Sequence, residues 1–368
     1  MVGRVLRSGA YSNVLLADVE SSTVRALTFD VLEHLEAIDR AIERAARRPV
    51  SEVDPEVLDL LRVSTAELAG GRRPVPITVH AGVEAVKAVR PRATGFANAV
   101  LRRIDPPTLD APVELPGWIR ARLENEWGIE ETRRFARASA ESPSVGVRVR
   151  PGETPPTDGV AVDGIPEARL VPSPPAGAAI QDPSSVAVVE AAAPEEGDRV
   201  LEVGAAPGGK TAHLVDLAGA RVVALDVHPR RARTGAGRVP EATWVIGDGT
   251  RPPFADGSFD VVLIDAPCSG LGTLRRRPEL RLRVTESEVR RLAAVQRALV
   301  RAALALVKTG GRVVYSVCTV TPEETIEVVE GRGRPIPGLP GRTWGDGTLM
   351  APHLGPTDGM YVSVLTPP

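Results

Sequence analysis

Apolar residues recur every three or four positions along the first hundred residues of the chain, as they do on the buried face of an α-helix. Leu27, Val31 and Leu35 fall on one such face, and a second apolar face runs through residues 57–68. The strict alternation of apolar and polar positions that is typical of strands is absent there. We therefore predict an all-α domain over residues 1–105.

Prolines interrupt this helical pattern after residue 105. The segment from Trp118 to Ala140 has the periodicity of a helical pair. Between Ser142 and Ala179 proline and glycine are dense, and only short alternating pieces such as residues 145–149 occur. We predict a short irregular α+β connector, a helical linker followed by a small β-containing insert, over residues 106–178.

From about residue 181 onward, short apolar strands alternate with helical stretches. The predicted strands are residues 199–203, 221–225, 244–246, 260–264 and 312–315. This alternation is typical of a mostly parallel sheet with helices on both faces, and it predicts an α/β Rossmann-like domain over residues 179–368. Ligands of such sheets bind beyond the carboxyl ends of the strands, so the chemistry is expected in the loops there.

Composition and charge exclude several classes of protein. The chain has 368 residues, a formal net charge of −2 and 43% hydrophobic residues, which is ordinary for a folded globular protein. No apolar run reaches the ~18 residues of a membrane span, and two cysteines in so long a chain are typical of a reducing compartment. Five scattered histidines and no C-x-x-C pair predict no metal site. We expect a cytoplasmic monomer.

The first strand of the predicted sheet ends in a glycine-rich turn, Gly204–Thr211, directly before a helix. Glycines let the backbone approach a ligand closely, and the free N–H groups of a helix start attract it. The turn also fits G-x-x-x-x-G-K-T, so a P-loop NTPase with Lys210 on a phosphate is an alternative. Against it, Pro207 removes one N–H from the loop. Asp226, which ends the next strand, has the position of a carboxylate that binds a ribose diol.

A further acidic residue, Asp248, follows the third strand, where a carboxylate can accept a hydrogen bond from an adenine amino group. An aspartate beside glycine is more often a turn former when it stands alone. Together with the glycine-rich loop and Asp226, however, it completes the layout of an S-adenosylmethionine site. The predicted cofactor-binding residues are Ala205, Ala206, Pro207, Gly208, Gly209, Lys210, Asp226, Arg231, Asp248 and Asp265.

The only two cysteines, Cys268 and Cys318, each follow a predicted strand. A cysteine taken singly is usually a small buried hydrophobe, but two at the ligand edge of one sheet indicate chemistry. C5 of cytosine is too weak a nucleophile to take a methyl group unaided, so a thiolate must first add to C6. A second thiol or a base can then assist elimination, and Asp265 can hold the activated ring. The target base has to be unpaired or flipped out of its stack.

Basic residues concentrate directly after the Cys268 loop. Between residues 275 and 312 there are eleven basic residues and three acidic ones. We predict that four of these basic residues bind polynucleotide phosphates, namely Arg275, Arg276, Arg277 and Arg283. A second stripe, from Lys87 to Arg103, contains five basic residues and no acidic one. This stripe either meets phosphates or is an ordinary solvated helix face.

These motifs resemble those of the RNA cytosine-5 methyltransferases, and among them the RsmB (Fmu) type, which modifies a cytosine of small-subunit ribosomal RNA. The matching strings are residues 205–211, 265–272, 276–279, 315–319 and 357–361. The N-terminal helices are similar to the NusB-like RNA-binding domain of that type, through residues 11–13, 80–84 and 95–103. The resemblance implies that Cys318 is the nucleophile and Cys268 assists product release, with Asp265 activating the base and Lys210 in the catalytic pocket.

The chain departs from the family pattern at two positions. Gly204 stands where the family usually has cysteine, and Thr325 replaces a common asparagine. We expect activity to survive the first change. The N-terminus begins later than a full first helix of the family requires, which leaves open whether Met1 is the true start.

We therefore predict an S-adenosylmethionine-dependent RNA cytosine-5 methyltransferase that acts on 16S ribosomal RNA through a covalent adduct between cysteine and C6. The alternatives are the P-loop NTPase and a non-catalytic NusB-like RNA-binding or assembly factor. The first predicts binding of nucleotide with magnesium, and the second predicts RNA affinity without methyl transfer.

Overall fold

The chain separates into two compact units. The computed structural model describes residues 1–17, 19–109, 115–219 and 221–367. Residues 110–114 of the predicted linker lie outside the described residues. The first unit comprises Met1–Leu115 and Arg276–Arg283, and the second comprises Pro116–Arg275 and Val284–Pro368.

Helices and strands alternate only in the second half of the chain. The α-helices of the described residues are α1 (Val2–Ser8), α2 (Ser12–Leu15), α3 (Ser22–Glu33), α4 (Leu35–Ala46), α5 (Pro55–Gly70), α6 (Val75–Val89), α7 (Thr94–Arg103), α8 (Gly117–Trp127), α9 (Ile129–Ala138), α10 (Pro183–Ala192), α11 (Gly209–Ala218), α12 (Pro229–Arg238), α13 (Leu280–Arg283), α14 (Glu286–Leu306) and α15 (Ile326–Val329). The strands are β1 (Val145–Arg148), β2 (Val160–Val162), β3 (Ile165–Val171), β4 (Ala179–Ile180), β5 (Val200–Val203), β6 (Val222–Asp226), β7 (Thr243–Ile246), β8 (Phe259–Asp265), β9 (Val307–Val317), β10 (Gly333–Arg334), β11 (Arg342–Trp344), β12 (Gly347–Met350) and β13 (Met360–Leu365).

The first unit is helical, and this part of the fold prediction is confirmed. Its core is formed by the apolar faces of α3 to α7, with Ile38, Leu61 and Val86 fully buried. Helix α5 starts at a proline, and the carboxylate of Asp54 accepts hydrogen bonds from the first free backbone N–H groups. Such a cap satisfies donors that a helix start otherwise leaves unpaired.

A short segment from late in the chain, Arg276–Arg283, also belongs to the first unit. Its Glu279 is buried and accepts hydrogen bonds from the Ser12 backbone N–H at 2.9 Å and from the Ser12 hydroxyl at 2.8 Å. Arg281 is buried in the same unit. Burial raises the pKa of Glu33 to about 7, against the opposing charge of Arg281. These residues lie within the range predicted for the catalytic domain, but their polar contacts are with the N-terminal helices.

The second unit begins with the predicted connector. Helices α8 and α9 form the helical pair, and β1 to β4 form a small antiparallel sheet in the order β2-β3-β1-β4. The insert is thus more regular than its proline and glycine content suggests, because β1 and β3 pair over four consecutive residues.

A nine-stranded sheet forms the core of the second unit, with the path β11-β12-β13-β9-β8-β5-β6-β7 and β10 paired to β13. Strands β9, β8, β5, β6 and β7 are parallel, as predicted. The C-terminal strands β10 to β13 are antiparallel, and these strands were not predicted. Helices α10, α11, α12 and α14 pack against the sheet. The strand order brings the carboxyl ends of β6, β5, β8 and β9 side by side, and this edge positions the site.

Within the described ranges, no helix is both long and apolar enough to cross a membrane. No group of three or more His, Cys, Asp or Glu side chains in the same ranges is arranged to hold a metal ion.

Candidate active site

The glycine-rich turn joins β5 to α11 at the centre of the parallel edge. Gly204 has a positive φ of 81°, and a Cβ atom there would lie 2.3 Å from the carbonyl oxygen of Asp265. Glycine avoids both the strained backbone conformation and the clash. The family cysteine noted above therefore does not fit this backbone unless the loop shifts away from Asp265.

Asp226 ends β6 beside this loop and is 4% exposed. Its Oδ2 accepts a hydrogen bond from the Ala206 N–H at 3.1 Å, and its Oδ1 accepts one from the His228 N–H at 2.8 Å. The guanidinium of Arg231 donates to the carbonyl oxygen of Ala206. Asp226 and Arg231 therefore hold the backbone N–H and the backbone carbonyl of one loop residue, Ala206. A carboxylate has about four lone-pair sites, so two remain on Asp226 for a ligand.

Asp248 follows β7, the strand next to β6, and is exposed. Its Oδ1 accepts hydrogen bonds from the Thr250 N–H at 2.9 Å and from the Thr250 hydroxyl at 2.8 Å. These hydrogen bonds lower the pKa of Asp248 and keep it ionised. The turn uses one carboxylate oxygen, so the residue both forms the turn and presents a negative charge at the predicted cofactor edge.

Lys210 lies in the first turn of α11, and its side chain is 10% exposed. Its ammonium donates to Oδ2 of Asp265 at 2.7 Å. Burial by itself would lower the pKa of Lys210, but the negative charges of Asp265, Glu202 and Cys318 together raise it. Lys210 is therefore a buried cation that is held by Asp265 and lies within electrostatic reach of Cys318.

The contacts of the glycine-rich turn do not suit a P-loop. Such a loop needs its lysine on phosphates and its Ser or Thr hydroxyl on magnesium. Here Lys210 is paired with Asp265, and the hydroxyl of Thr211 donates to Oε2 of Glu202 at 2.6 Å. Burial raises the pKa of Glu202 to about 8, so this residue is largely protonated at neutral pH. Sequence reasoning missed Glu202, which reads as one polar position in an apolar strand.

The two thiols lie together, with 3.4 Å between Cys268 Sγ and Cys318 Sγ. Both are reduced and partly buried. Their hydrogen bond is the main cause that raises the pKa of Cys268 well above its usual value, and burial and the negative charges of Cys318 and Glu324 raise it further. Cys268 therefore stays protonated and can donate to the sulfur of Cys318. Cys318 is the thiol of the pair that acts electrostatically on Lys210.

A buried carboxylate that sequence reasoning did not select, Glu324, joins the two cysteine loops. Its Oε1 accepts hydrogen bonds from the Ser269 N–H at 2.8 Å and from the Gln296 amide at 3.1 Å. Its Oε2 accepts from the hydroxyls of Ser269 at 2.5 Å, Thr321 at 2.9 Å and Thr319 at 3.1 Å. Glu324 is fully buried, and every one of these donors is therefore satisfied inside the protein.

The donors of this network stand directly beside the thiols in the sequence. Ser269 follows Cys268, and Thr319 follows Cys318. The hydroxyl oxygens of Ser269 and Thr319 also lie 2.7 Å apart. Glu324 thus fixes the position of one thiol relative to the other. The signal in the sequence was the acidic pair at 323–324 shortly after the second cysteine.

The four arginines predicted to bind phosphates all have intramolecular contacts. Arg275, in the second unit, pairs with Asp358 and with Asp182, and its side chain is 11% exposed. Arg283, in the first unit, donates to three backbone carbonyls near the end of α1, those of Val5, Gly9 and Ala10. These two arginines therefore have internal partners, and an RNA contact by either of them stays a prediction.

The remaining two, Arg276 and Arg277, belong to the first unit together with Arg283, whereas Arg275 belongs to the second. The Arg277 guanidinium lies 5.9 Å from the centre of the Tyr11 ring. An RNA contact by Arg276 or Arg277 stays a prediction.

Comparisons with known proteins agree with this architecture. Residues 189–334 match the family described as 16S rRNA methyltransferase RsmB/F, and residues 5–106 match the NusB family. Ribosomal RNA small subunit methyltransferase B of Xanthomonas campestris pv. campestris is 30% identical, over 94% of this chain and 89% of its own. A putative methyltransferase of Mycobacterium tuberculosis is 32% identical, over 97% of this chain and 92% of its own. The crystal structure of PH0851 has a TM-score of 0.80 at 23% identity, covering 95% of this chain and 91% of that one.

Proposed function

Because this chain belongs to the RsmB/F family of 16S rRNA methyltransferases, which use S-adenosylmethionine, we propose that it methylates C5 of a cytosine in small-subunit ribosomal RNA. The observation that carries this proposal is the 3.4 Å approach of two thiols beside the buried pair of Lys210 and Asp265. A protein that only binds RNA needs neither thiol. Cytosine-5 chemistry requires one thiol to attack and is helped by a second.

The residues predicted to hold S-adenosylmethionine fit that ligand. The free lone pairs of the Asp226 carboxylate suit ribose hydroxyls, and the exposed charge of Asp248 suits an adenine amino group. The turn of residues 205–209 offers backbone to the rest of the molecule, and Arg231 fixes that turn. When bound, S-adenosylmethionine supplies an electrophilic methyl group.

Cys318 is the proposed nucleophile. The ammonium of Lys210 stabilises its thiolate, and the S–H group of Cys268 donates to it. The thiolate sulfur forms a bond to C6 of the cytosine, and the electron pair of the C5–C6 double bond moves to C5, which becomes the nucleophilic carbon. Asp265, held by Lys210, is positioned to stabilise the activated ring through N3 or the exocyclic amine.

Cys268 is proposed to assist release of the product. Once Cys318 is bonded to C6 it carries no charge, and two causes of the high pKa of Cys268 disappear, the hydrogen bond to Cys318 and its negative charge. Cys268 can then lose its proton to solvent and act as a base. It takes the proton from C5, the C5–C6 double bond re-forms, and the thiolate of Cys318 leaves.

The proposal is tested by methyl transfer from labelled S-adenosylmethionine to small-subunit ribosomal RNA that lacks the modification, offered as free RNA and as ribosomal particles. We expect label in 5-methylcytidine after digestion with the wild type, and none with Cys318→Ala. Label in another nucleoside, or no label on either form of the RNA, contradicts the proposal. Titration with ATP and GTP in the presence of magnesium, run in parallel, tests the P-loop alternative, for which we expect no binding.

The finer statements on assembly and location are also proposals. We expect the chain to act as a monomer in the cytoplasm, since every residue assigned a catalytic role above comes from a single chain and the proposed substrate is ribosomal RNA. Sedimentation of the purified chain with and without RNA checks the first statement, and a dimer at micromolar concentration contradicts it.

A further inference from the structure

The first unit carries a pocket of about 550 Å³ that has no part in the chemistry described above. It lies between the residues after α4, the start of α5, and the turn that joins α6 to α7. Its floor is apolar and includes Val57 and Phe96, and three arginines, Arg48, Arg90 and Arg92, line it together with Asp54. The volume is within the ~300–1,000 Å³ range of pockets that bind small organic groups.

The three arginines differ in how their charges are compensated. Arg90 is held by two carboxylates, Asp54 at 3.2 Å and Glu56 at 2.5 Å. Arg48 and Arg92 are exposed, and within the described part of the chain neither has an ion-pair partner. The pocket therefore carries two uncompensated positive charges, and its one lining carboxylate is already used by Arg90 and by the start of α5.

The pocket also contains a stacking surface. The guanidinium of Arg48 lies over the ring of Phe96, 4.1 Å from its centre. A guanidinium is planar, and unpaired bases stack on arginine planes and on aromatic rings. A stacking plane beside free cations is the combination by which proteins hold a base and its phosphate in single-stranded RNA.

We propose that this pocket binds an unpaired nucleotide of the RNA substrate, with the base against the Arg48–Phe96 stack and the phosphate on Arg92. The inference rests on the proposed function, because the ligand is taken to be a part of the RNA that is methylated. The proposal also assigns different roles to two residues of the basic stripe 87–103. Lys87 pairs with Glu84 and therefore lies on an ordinary solvated face, whereas Arg92 lines the pocket.

The test uses the full chain and a fluorescein-labelled, single-stranded RNA 12-mer of mixed sequence, titrated by anisotropy at several salt concentrations. Arg92→Ala is expected to reduce the slope of log affinity against log salt by about 0.7, the contribution of one phosphate contact on a single strand. Phe96→Leu is expected to weaken binding by about tenfold, the loss of one stacked base, and to leave the salt slope unchanged.

Two further variants make the result decisive. Arg48→Ala removes the stacked guanidinium without touching the core, so it serves if Phe96→Leu is unstable, and it is expected to weaken binding of the same RNA by about tenfold. Arg40→Ala is the matched control, because Arg40 lies on α4 outside the pocket with a side chain that is 62% exposed. It is expected to bind as the wild type does.

The proposal is overturned if Arg92→Ala, Arg48→Ala and Phe96→Leu all bind the RNA with the affinity and salt slope of Arg40→Ala. It is also overturned if these variants lose binding of a poly-glutamate peptide and keep that of RNA, which would assign the pocket to an acidic protein. The methyl-transfer assay separates this failure from failure of the proposed function. A wild type that methylates RNA while the pocket variants bind normally refutes only the pocket, and a wild type that binds through the pocket and methylates nothing refutes only the activity.

Discussion

The buried carboxylate of Glu324 offers the sharpest test of how the two thiols are positioned. Glu324→Gln keeps the shape of the side chain and removes its charge, so five hydrogen bonds to a charged acceptor become bonds to or from a neutral amide. Hydrogen bonds to charged groups contribute about 1.5–3 kcal/mol and neutral ones about 0.5–1.5 kcal/mol. Because such contributions are not additive, we expect a total cost on the order of 2–4 kcal/mol in the free energy of unfolding.

The same substitution is expected to reduce the rate of methyl transfer by more than the smaller folded fraction of the variant would explain. A displacement of reacting groups by about 1 Å costs on the order of a hundredfold in rate, so we expect kcat to fall by about that factor at a temperature where the variant is folded. The pKa of Cys268 gives a readout that a purely structural role would not move. Removing the negative charge of Glu324 is expected to lower that pKa, and alkylation of Cys268 by iodoacetamide then begins at a lower pH.

Glu323→Gln is the matched control, since the neighbouring carboxylate pairs with Arg122 and, among the described residues, forms no hydrogen bond or ion pair with the cysteine loops. We expect it to keep the wild-type rate and the wild-type alkylation profile. Wild-type methylation by Glu324→Gln, or equal effects of the two substitutions, would refute the positioning role.

Three further outcomes follow from the geometry of the cofactor edge. Gly204→Ala introduces a Cβ atom 2.3 Å from the Asp265 carbonyl oxygen at a residue with a positive φ. We expect a loss of about 1–3 kcal/mol in the free energy of unfolding, and weaker binding of S-adenosylmethionine by calorimetry. An unchanged melting temperature would contradict the clash. Lys210→Met removes the cation near Cys318, so alkylation of that thiol should begin at a higher pH, and an identical profile would show that Lys210 does not stabilise the thiolate. Burial raises the pKa of Glu202 to about 8 from an unfolded value of 4.5. Between these two pH values the folded state binds one proton more than the unfolded state. The free energy of unfolding therefore falls as the pH rises from 4.5 to about 8, by at most about 1.4 kcal/mol per pH unit. Glu202→Gln should flatten that dependence in urea titrations between pH 5 and pH 9, and a slope equal to that of the wild type would contradict the burial of an ionisable group there.

The residues proposed to carry the chemistry could be selected from the sequence because each follows a strand of the parallel sheet. In a parallel sheet the loop after each strand points to the same edge, so a strand prediction that is correct within a few residues already groups Asp226, Asp248, Asp265 and the two thiols. What could not be predicted depends on partners far away in the sequence. Glu202 in β5 and Glu324 after β9 are single polar residues whose role is set by the donors around them.

The internal partners of the arginines after Cys268 could not be predicted from the sequence either. A cluster of positive charge favours a phosphate site, but charge alone does not show whether a guanidinium faces solvent or an internal acceptor. Arg275 is matched by Asp182 and Asp358, which lie 93 and 83 positions away in the chain. The antiparallel strands β10 to β13 were missed for a related reason. They are short, and the pairing of β13 with β9, which joins them to the sheet, cannot be predicted from the local sequence.

The most direct test of the central claim is the trapping of a covalent protein–RNA adduct. Full chain, S-adenosylmethionine and unmodified small-subunit ribosomal RNA are incubated and resolved on denaturing gels, with Cys268→Ala, Cys318→Ala and the double variant compared. We expect a persistent adduct with Cys268→Ala, because Cys318 still attacks C6 and elimination is slow, and no adduct with Cys318→Ala or the double variant. An adduct that forms without Cys318 would contradict the assignment of the nucleophile and give that role to Cys268.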